Sequence, residues 1–210
     1  MKEKFLLYNE KFCLDGWVFL LLMPVMKMFM PESWGLENGT VENLQMVVLI
    51  LTLVWCWKMA RKKDLPDWGG SASAFWYSGF LITLLLIGRE ISWGRALFQS
   101  ELGYGMIQWE EMGIYGKLAH PLIGFLVVLT LWCLWRSKFW IFLYKMWTVF
   151  PYRDLLLLII FVAAQYFAEH GHIAWWHGEL AEELAETGAY IVIEWLVRRT
   201  ATYYKKGEWA

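Results

Sequence analysis

Six stretches of this chain are too continuously apolar for the surface of a water-soluble domain. They lie at about 16–30, 41–59, 74–98, 118–135, 154–173 and 180–197. Crossing a bilayer takes roughly 20 residues of α-helix, because hydrocarbon offers the backbone no hydrogen-bond partner outside its own segment. The pattern predicts an all-α fold: a polytopic membrane helical bundle of six transmembrane helices, forming one membrane domain over 1–210. Pro24 falls inside the first span, where neighbours must re-satisfy the freed carbonyl. Ser71 or Ser73 is placed to cap the third. A further run at 139–150 is too short to cross and stops at Pro151. With Trp140, Tyr144, Lys145 and Trp147 it reads as a short helix lying in the interface.

Composition agrees with this. Hydrophobic residues make up 59% of the chain, and 16 tryptophans supply rings for both membrane–water interfaces. The formal net charge of −1 gives no attraction for a polyanion, so nucleic acid is not an expected partner. Membrane lipid is, together with a second copy or other subunits of a membrane complex. The three cysteines show no CxxC or Cys/His zinc spacing and read as buried or lipid-facing thiols. The charged N-terminus runs into the first apolar segment without a small-x-small cleavage site, which reads as a retained span.

Charge placement predicts orientation. Lys2, Lys4 and Lys11 precede the first span, and Lys58, Arg61, Lys62 and Lys63 follow the second. Arg136, Lys138, Lys145 and Arg153 separate the fourth from the fifth; Arg198, Arg199, Lys205 and Lys206 follow the sixth. The alternate loops carry Glu32 and Glu37, then Glu101, Glu110 and Glu111 with only Lys117. Basic residues mark the cytoplasmic side, so the expectation is a multi-pass protein of the plasma (inner) membrane with both termini cytoplasmic.

Under that topology the unusual polar residues collect on the extracytoplasmic side. Arg89 and Glu90 close the third span, and His120 opens the fourth. Gln165, Glu169, His170 and His172 end the fifth; Glu179, Glu182, Glu183 and Glu186 begin the sixth. Gln165, Glu169 and His172 share one helical face, and Glu182 or Glu183 shares another with Glu186. Charge is costly in hydrocarbon, so such residues face inward and pair, or serve a site. Glu90, Glu183 and Glu186 are the candidate acid–base residues. Arg89, Trp93 and Gln165 are the candidate substrate contacts. Glu169, His170, His172 and His120 are the candidate ligands of a divalent metal, Glu169-x-x-His172 having the carboxylate–imidazole spacing used in helical bundles. His170 and His172 point about 200° apart on a continuous helix and act together only if Gly171 ends it. Each group also has a plain reading: an ion pair at a helix end, a solvated first turn favoured by the helix dipole, a loop histidine beside interface tryptophans.

The segment Arg89-Glu90-Ile-Ser-Trp-Gly-Arg95-Ala-Leu-Phe resembles a motif of uncharacterised bacterial multi-pass membrane proteins. Those carry an acidic pair, then Ile-Ser-Trp-Gly-Gln-Arg and an aromatic. Here Arg89 replaces the first acid and no Gln precedes Arg95. Glu182-Glu183-Leu-Ala-Glu186-Thr-Gly-Ala is similar to a later stretch of the same proteins. The resemblance covers about 90–190 and implies a polytopic protein of a bacterial envelope, with no established reaction. It points to Glu90, Ser92, Trp93, Glu183 and Glu186.

Three functions fit. The first is a metal-assisted or acid–base enzyme acting on a lipid or lipid-linked substrate from the outer side. The second is a small ion-coupled transporter. The third is a non-catalytic membrane subunit, with haem held by His120 and His170 as one form of it.

Overall fold

The computed structural model describes residues 12–36, 39–63, 65, 69–97, 108–109, 111–146 and 151–205. Of the residues singled out above, Lys2, Lys4, Lys11, Glu37, Glu101, Glu110, Trp147 and Lys206 lie outside that set. The described residues form seven α-helices and no β-strand. These are α1 (Leu14–Phe29), α2 (Thr40–Ala60), α3 (Ala72–Glu90), α4 (Ile114–Arg136), α5 (Phe139–Met146), α6 (Tyr152–Glu169) and α7 (Glu179–Lys205). Single 3₁₀ segments cover Glu32–Trp34 and Ser92–Leu97.

Three of these helices, α2, α3 and α4, are long and apolar enough to cross a membrane. That is fewer than the six spans the hydropathy pattern suggests, and the reasons are local. Helix α1 has only 16 residues. Helix α6 carries Arg153, Asp154 and Glu169 at its ends, and α7 carries Glu179, Glu182, Glu183, Glu186 and Glu194. The third stretch also stops earlier than expected, at Glu90, where a 3₁₀ segment takes over. Helix α4 exposes Leu122, Phe125, Val128, Leu131, Trp132 and Trp135, a surface suited to lipid rather than water. In α2, α3 and α4 the hydroxyls of Thr52, Thr83 and Thr130 donate to the carbonyls four residues back, at 2.9, 2.8 and 2.7 Å. That is how a hydroxyl is satisfied inside an apolar helix.

The chain divides into two compact units, Met1–Thr52 with Phe142–Ala210, and Leu53–Ile141, the division falling inside α2.

In the first unit, α7 packs on α6 and α1 through Leu180, Ala181, Leu184, Ala185, Ala189 and Val192, against Leu157, Phe161 and Met23. Small residues let helix backbones approach closely. Gly188 shows how closely: a Cβ there would stand 2.2 Å from the Phe161 ring. Gly16 of α1 is similarly tight, its absent Cβ 2.8 Å from Leu157 and 3.1 Å from Val192. One end of the unit is tied by a buried polar lock. The Asp154 carboxylate accepts the Cys13 N–H at 2.8 Å and the Arg199 Nη1 at 3.0 Å. It therefore joins the starts of α1 and α6 to the end of α7. The sequence reading used Asp154 only as a span start and Arg199 only as a basic flank. Lys27, left out of the charge pattern, ends α1 and pairs with Glu32.

In the second unit, the last turns of α2 meet α3, and α3 packs on α4. Trp57 lies against Phe80 at 5.3 Å between ring centroids, and Arg61 covers the Trp57 ring at 5.4 Å. Ser71 caps α3, its oxygen accepting the Ala74 N–H at 3.2 Å. Ser73 instead donates to the Ala60 carbonyl at 2.7 Å. Helix α5 is short, as its sequence implied, and presents Trp140 and Tyr144 outward.

Candidate functional site

The first unit gathers its polar side chains on the first turns of α7. Glu183 and Glu186 lie one turn apart, so both project to the same side of the helix. Their carboxylate oxygens lie within 4.8 Å of one another. Glu183 is half-buried and Glu186 is 5% exposed. A glutamine amide from a different helix holds each. Gln45 of α2 donates Nε2–H to Glu183 Oε2 at 2.7 Å and to the Glu183 backbone carbonyl at 2.9 Å. Gln165 of α6 donates to Glu186 Oε1. The Thr187 hydroxyl donates to the same Glu183 carbonyl at 2.8 Å.

Two contacts position this end of α7. Gly35, after the first 3₁₀ segment, lies where a Cβ would be 2.3 Å from Leu180 Cα. The loop before α7 is pinned by buried Trp176, whose indole N–H donates to the Ala164 carbonyl at 2.9 Å.

Gln45 is the residue the sequence reading passed over. It sits inside the second apolar stretch and is 0% exposed. The signal was present: an amide inside an apolar span must find partners and marks a polar site nearby.

Beside this cluster, α6 ends in a Schellman motif. The His172 N–H reaches the Phe167 carbonyl at 3.2 Å and the Gly171 N–H reaches Ala168 at 3.3 Å. Gly171 has φ +64°, which only glycine adopts without cost. The helix thus ends where the two histidines need it to. Their rings come to lie parallel, with centroids 5.8 Å apart. His170 Nδ1 lies 2.9 Å from the Tyr166 carbonyl and donates to it, since a carbonyl only accepts. The Glu169 carboxylate is 3.9 Å from His170 Nδ1. Among the described residues, Glu169, His170 and His172 do not bring three ligating atoms within 4.8 Å of one another. All three side chains are exposed.

The second unit holds Arg89, Glu90, Trp93 and His120. Arg89 Nη2 pairs with Glu90 Oε1 at 3.1 Å, the Glu90 side chain being largely buried. Beyond α3 the chain turns sharply: Ser92 and Trp93 have φ +44° and +54°. The turn folds the Trp93 ring back over Gly88, where a Cβ would stand 2.6 Å from it. The Tyr115 hydroxyl donates to the Trp93 carbonyl at 2.7 Å. Trp109 lies 5.2 Å from the Arg95 guanidinium and 5.0 Å from the His120 ring. The Ser-Trp-Gly motif thus has a structural use, a left-handed corner held by its own aromatic ring. Gly88→Ala is expected to destabilise the protein by about 1–3 kcal/mol, because the ring has to move. Gly124→Ala, with open space at that Cβ, is the control. Thermal unfolding of both variants checks this, and equal midpoints would contradict it.

Comparison with protein-family models, with curated proteins and with solved structures finds no match for this chain.

Proposed function

We propose that the chain is an integral membrane protein of six spans with cytoplasmic termini, and an enzyme of the acid–base type. Its site is the α2–α6–α7 cluster of the first unit, open to a lipid or lipid-linked substrate from the extracytoplasmic side. The observation that carries this reading is the pair Glu183 and Glu186, whose oxygens lie within 4.8 Å and are held by Gln45 and Gln165. Gln45 and Gln165 are neutral amides that orient the two carboxylates. Two fixed carboxylates in adjacent positions suit a division of labour between proton donor and proton acceptor. Gln165 also offers an amide at the edge of the pair for substrate. His170, exposed at the end of α6, stands one loop away. The exposed apolar surface of α1, including Leu21, Met28 and Phe29, supports lipid around this unit.

The test is turnover. The purified full chain in nanodiscs is incubated with a polar lipid extract and the products are followed by mass spectrometry. Glu186→Gln is expected to lower the rate by about 10²–10⁴-fold, the range for loss of a general acid or base. Its thermal midpoint should stay near that of the parent. Unchanged lipids with the parent protein, or full turnover by Glu186→Gln, would remove the enzyme reading. An ion-coupled carrier uses the same buried acids. It is favoured instead if liposomes containing the protein show pH-dependent flux that Glu186→Gln abolishes.

A further inference from the structure

We propose that the basic end of the second unit is a binding surface for the phosphate headgroups of anionic phospholipids. It goes beyond the acid–base reading and rests only on the chain spanning a membrane. The residues are Lys58, Arg61, Lys62 and Lys63 at the end of α2, and Arg136 and Lys138 where α4 gives way to α5. Lys62 is half-buried and the others are exposed.

The two groups lie at one end of the unit, because the start of α3 touches both. Ser73 donates to the Ala60 carbonyl at 2.7 Å. A Cβ on Gly70 would stand 2.1 Å from the Ser137 carbonyl oxygen and 2.9 Å from Lys138 Cβ. Lys138 itself has φ +49°, a left-handed conformation that costs a lysine energy and persists only where its surroundings impose it. The start of α3 adds the partial positive charge of a helix N-terminus to the same end.

The independent observation is the lack of counter-charge. Elsewhere the cations pair: Lys27 with Glu32, Arg89 with Glu90, Arg198 with Glu194 and Arg199 with Asp154. Among the described residues, none of the six basic side chains of this end has a carboxylate partner. In sequence the acids of this end are Asp64 and Asp67, too few to neutralise six cations. Helix dipoles explain only part of the cluster. Lys58 and Arg136 lie in last turns, where cations are favoured. Arg61, Lys62, Lys63 and Lys138 lie beyond, where the effect fades.

Aromatic rings set the depth. The Lys58 ammonium lies 5.9 Å from the Trp55 ring, and the Arg61 guanidinium 5.4 Å from Trp57. Trp135 and Trp140 are exposed on either side of Arg136 and Lys138, their rings 5.3 Å apart. Tryptophan favours the headgroup level of a bilayer, so cations beside these rings stand among the phosphates. Clusters of about four to eight basic residues next to a span recognise anionic lipid in this way. Exposed indoles favour lipid over an acidic protein segment, since a lipid supplies acyl chain for the rings and phosphate for the charges together.

The experiment is electron paramagnetic resonance of the full chain in phosphatidylcholine bilayers, with a trace of spin-labelled phosphatidylglycerol or spin-labelled phosphatidylcholine. The fraction of each label immobilised at the protein gives the preference. The parent should prefer phosphatidylglycerol by about 5-fold, the effect of roughly one basic residue near an anionic surface. Most of that preference should vanish in about 1 M salt, where the screening length is about 3 Å. Combining Lys58→Gln, Arg61→Gln, Arg136→Gln and Lys138→Gln should abolish it. Arg61→Lys with Arg136→Lys keeps the charge and should keep the preference. Lys117→Gln, at the opposite end of α4, should change nothing. Immobilised lipid without preference would overturn the proposal while leaving the membrane reading intact, and would favour an acidic partner segment as the occupant. A preference that survives the combined change, or that Lys117→Gln removes, would also overturn it. So would one indifferent to salt, which keeps the test decisive if the combined variant does not fold. No immobilised lipid of either kind would overturn both readings. Lipid turnover plays no part, so the roles of Glu183 and Glu186 stand or fall separately.

Discussion

Replacing Asp154 with alanine is expected to lower the thermal midpoint of the protein by about 10 °C. Breaking a buried ion pair from one side costs roughly 3–5 kcal/mol, because the surviving charge stays buried. In a chain of this size each kcal/mol moves the midpoint by about 2–4 °C. Both side chains of the pair are enclosed, with Arg199 at 4% exposure and Asp154 at 1%. The same change also orphans the Cys13 N–H, which has Asp154 Oδ1 as its acceptor at 2.8 Å. Three helix ends lose a common anchor. Asp154→Asn should fall between, because an amide oxygen can still accept from Cys13 while Arg199 loses its counter-charge. Removing both charges, in Asp154→Ala with Arg199→Met, should recover much of the loss, since apolar replacements of buried pairs are often neutral. Differential scanning calorimetry of the three variants reads this. A single variant as stable as the parent would show that the lock holds nothing.

Gly188→Ala is expected to cost about 3 kcal/mol, at the upper end for overpacking a filled core. The added methyl would stand 2.2, 2.4 and 2.5 Å from three atoms of the Phe161 ring. Phe161 is fully buried and also contacts Phe19, with ring centroids 6.2 Å apart. The ring is enclosed, so either it or the α6–α7 spacing must give. Pairing Gly188→Ala with Phe161→Leu should be much less harmful than the sum of the two changes, because the second vacates the space the first demands. Chemical unfolding of the single and double variants measures the coupling. Additive effects would mean that this glycine is not what sets the α6–α7 distance.

Helix type and placement were legible in the sequence because apolar runs of this length have few other solutions. The stop at Gly171 was legible only as a condition for His170 and His172 to meet. The fifth stretch reads through to 173 with His172 on the face of Gln165 and Glu169, and the helix instead ends at Glu169. Other features were hidden for physical reasons. Gln45 looks like one polar residue in an aliphatic run, and its value comes from Glu183, which is 138 positions away in the chain. Asp154 and Arg199 read as ordinary flanks of spans, because charge at a span end is expected. Only the fold reveals that they face each other and the Cys13 N–H. The left-handed corner at Ser92 and Trp93 carries no propensity signal, since neither residue favours positive φ. It is imposed by packing of the indole on Gly88. The spans also looked more uniform than the helices prove to be. Helix α4 is apolar enough to cross a membrane and exposes an apolar surface, whereas α7 carries five glutamates and buries Glu186.

The most direct test concerns where the two ends of α7 stand. His177, just before the helix, and Thr202, in its last turns, are both exposed. Each is replaced by cysteine in a variant lacking Cys13, Cys56 and Cys133, and intact cells are treated with a membrane-impermeant maleimide. With the acid cluster on the extracytoplasmic side, the cysteine at 177 is labelled in intact cells and the one at 202 only after permeabilisation. The reverse pattern, or equal labelling of both in intact cells, would contradict an outward-facing site at Glu183 and Glu186.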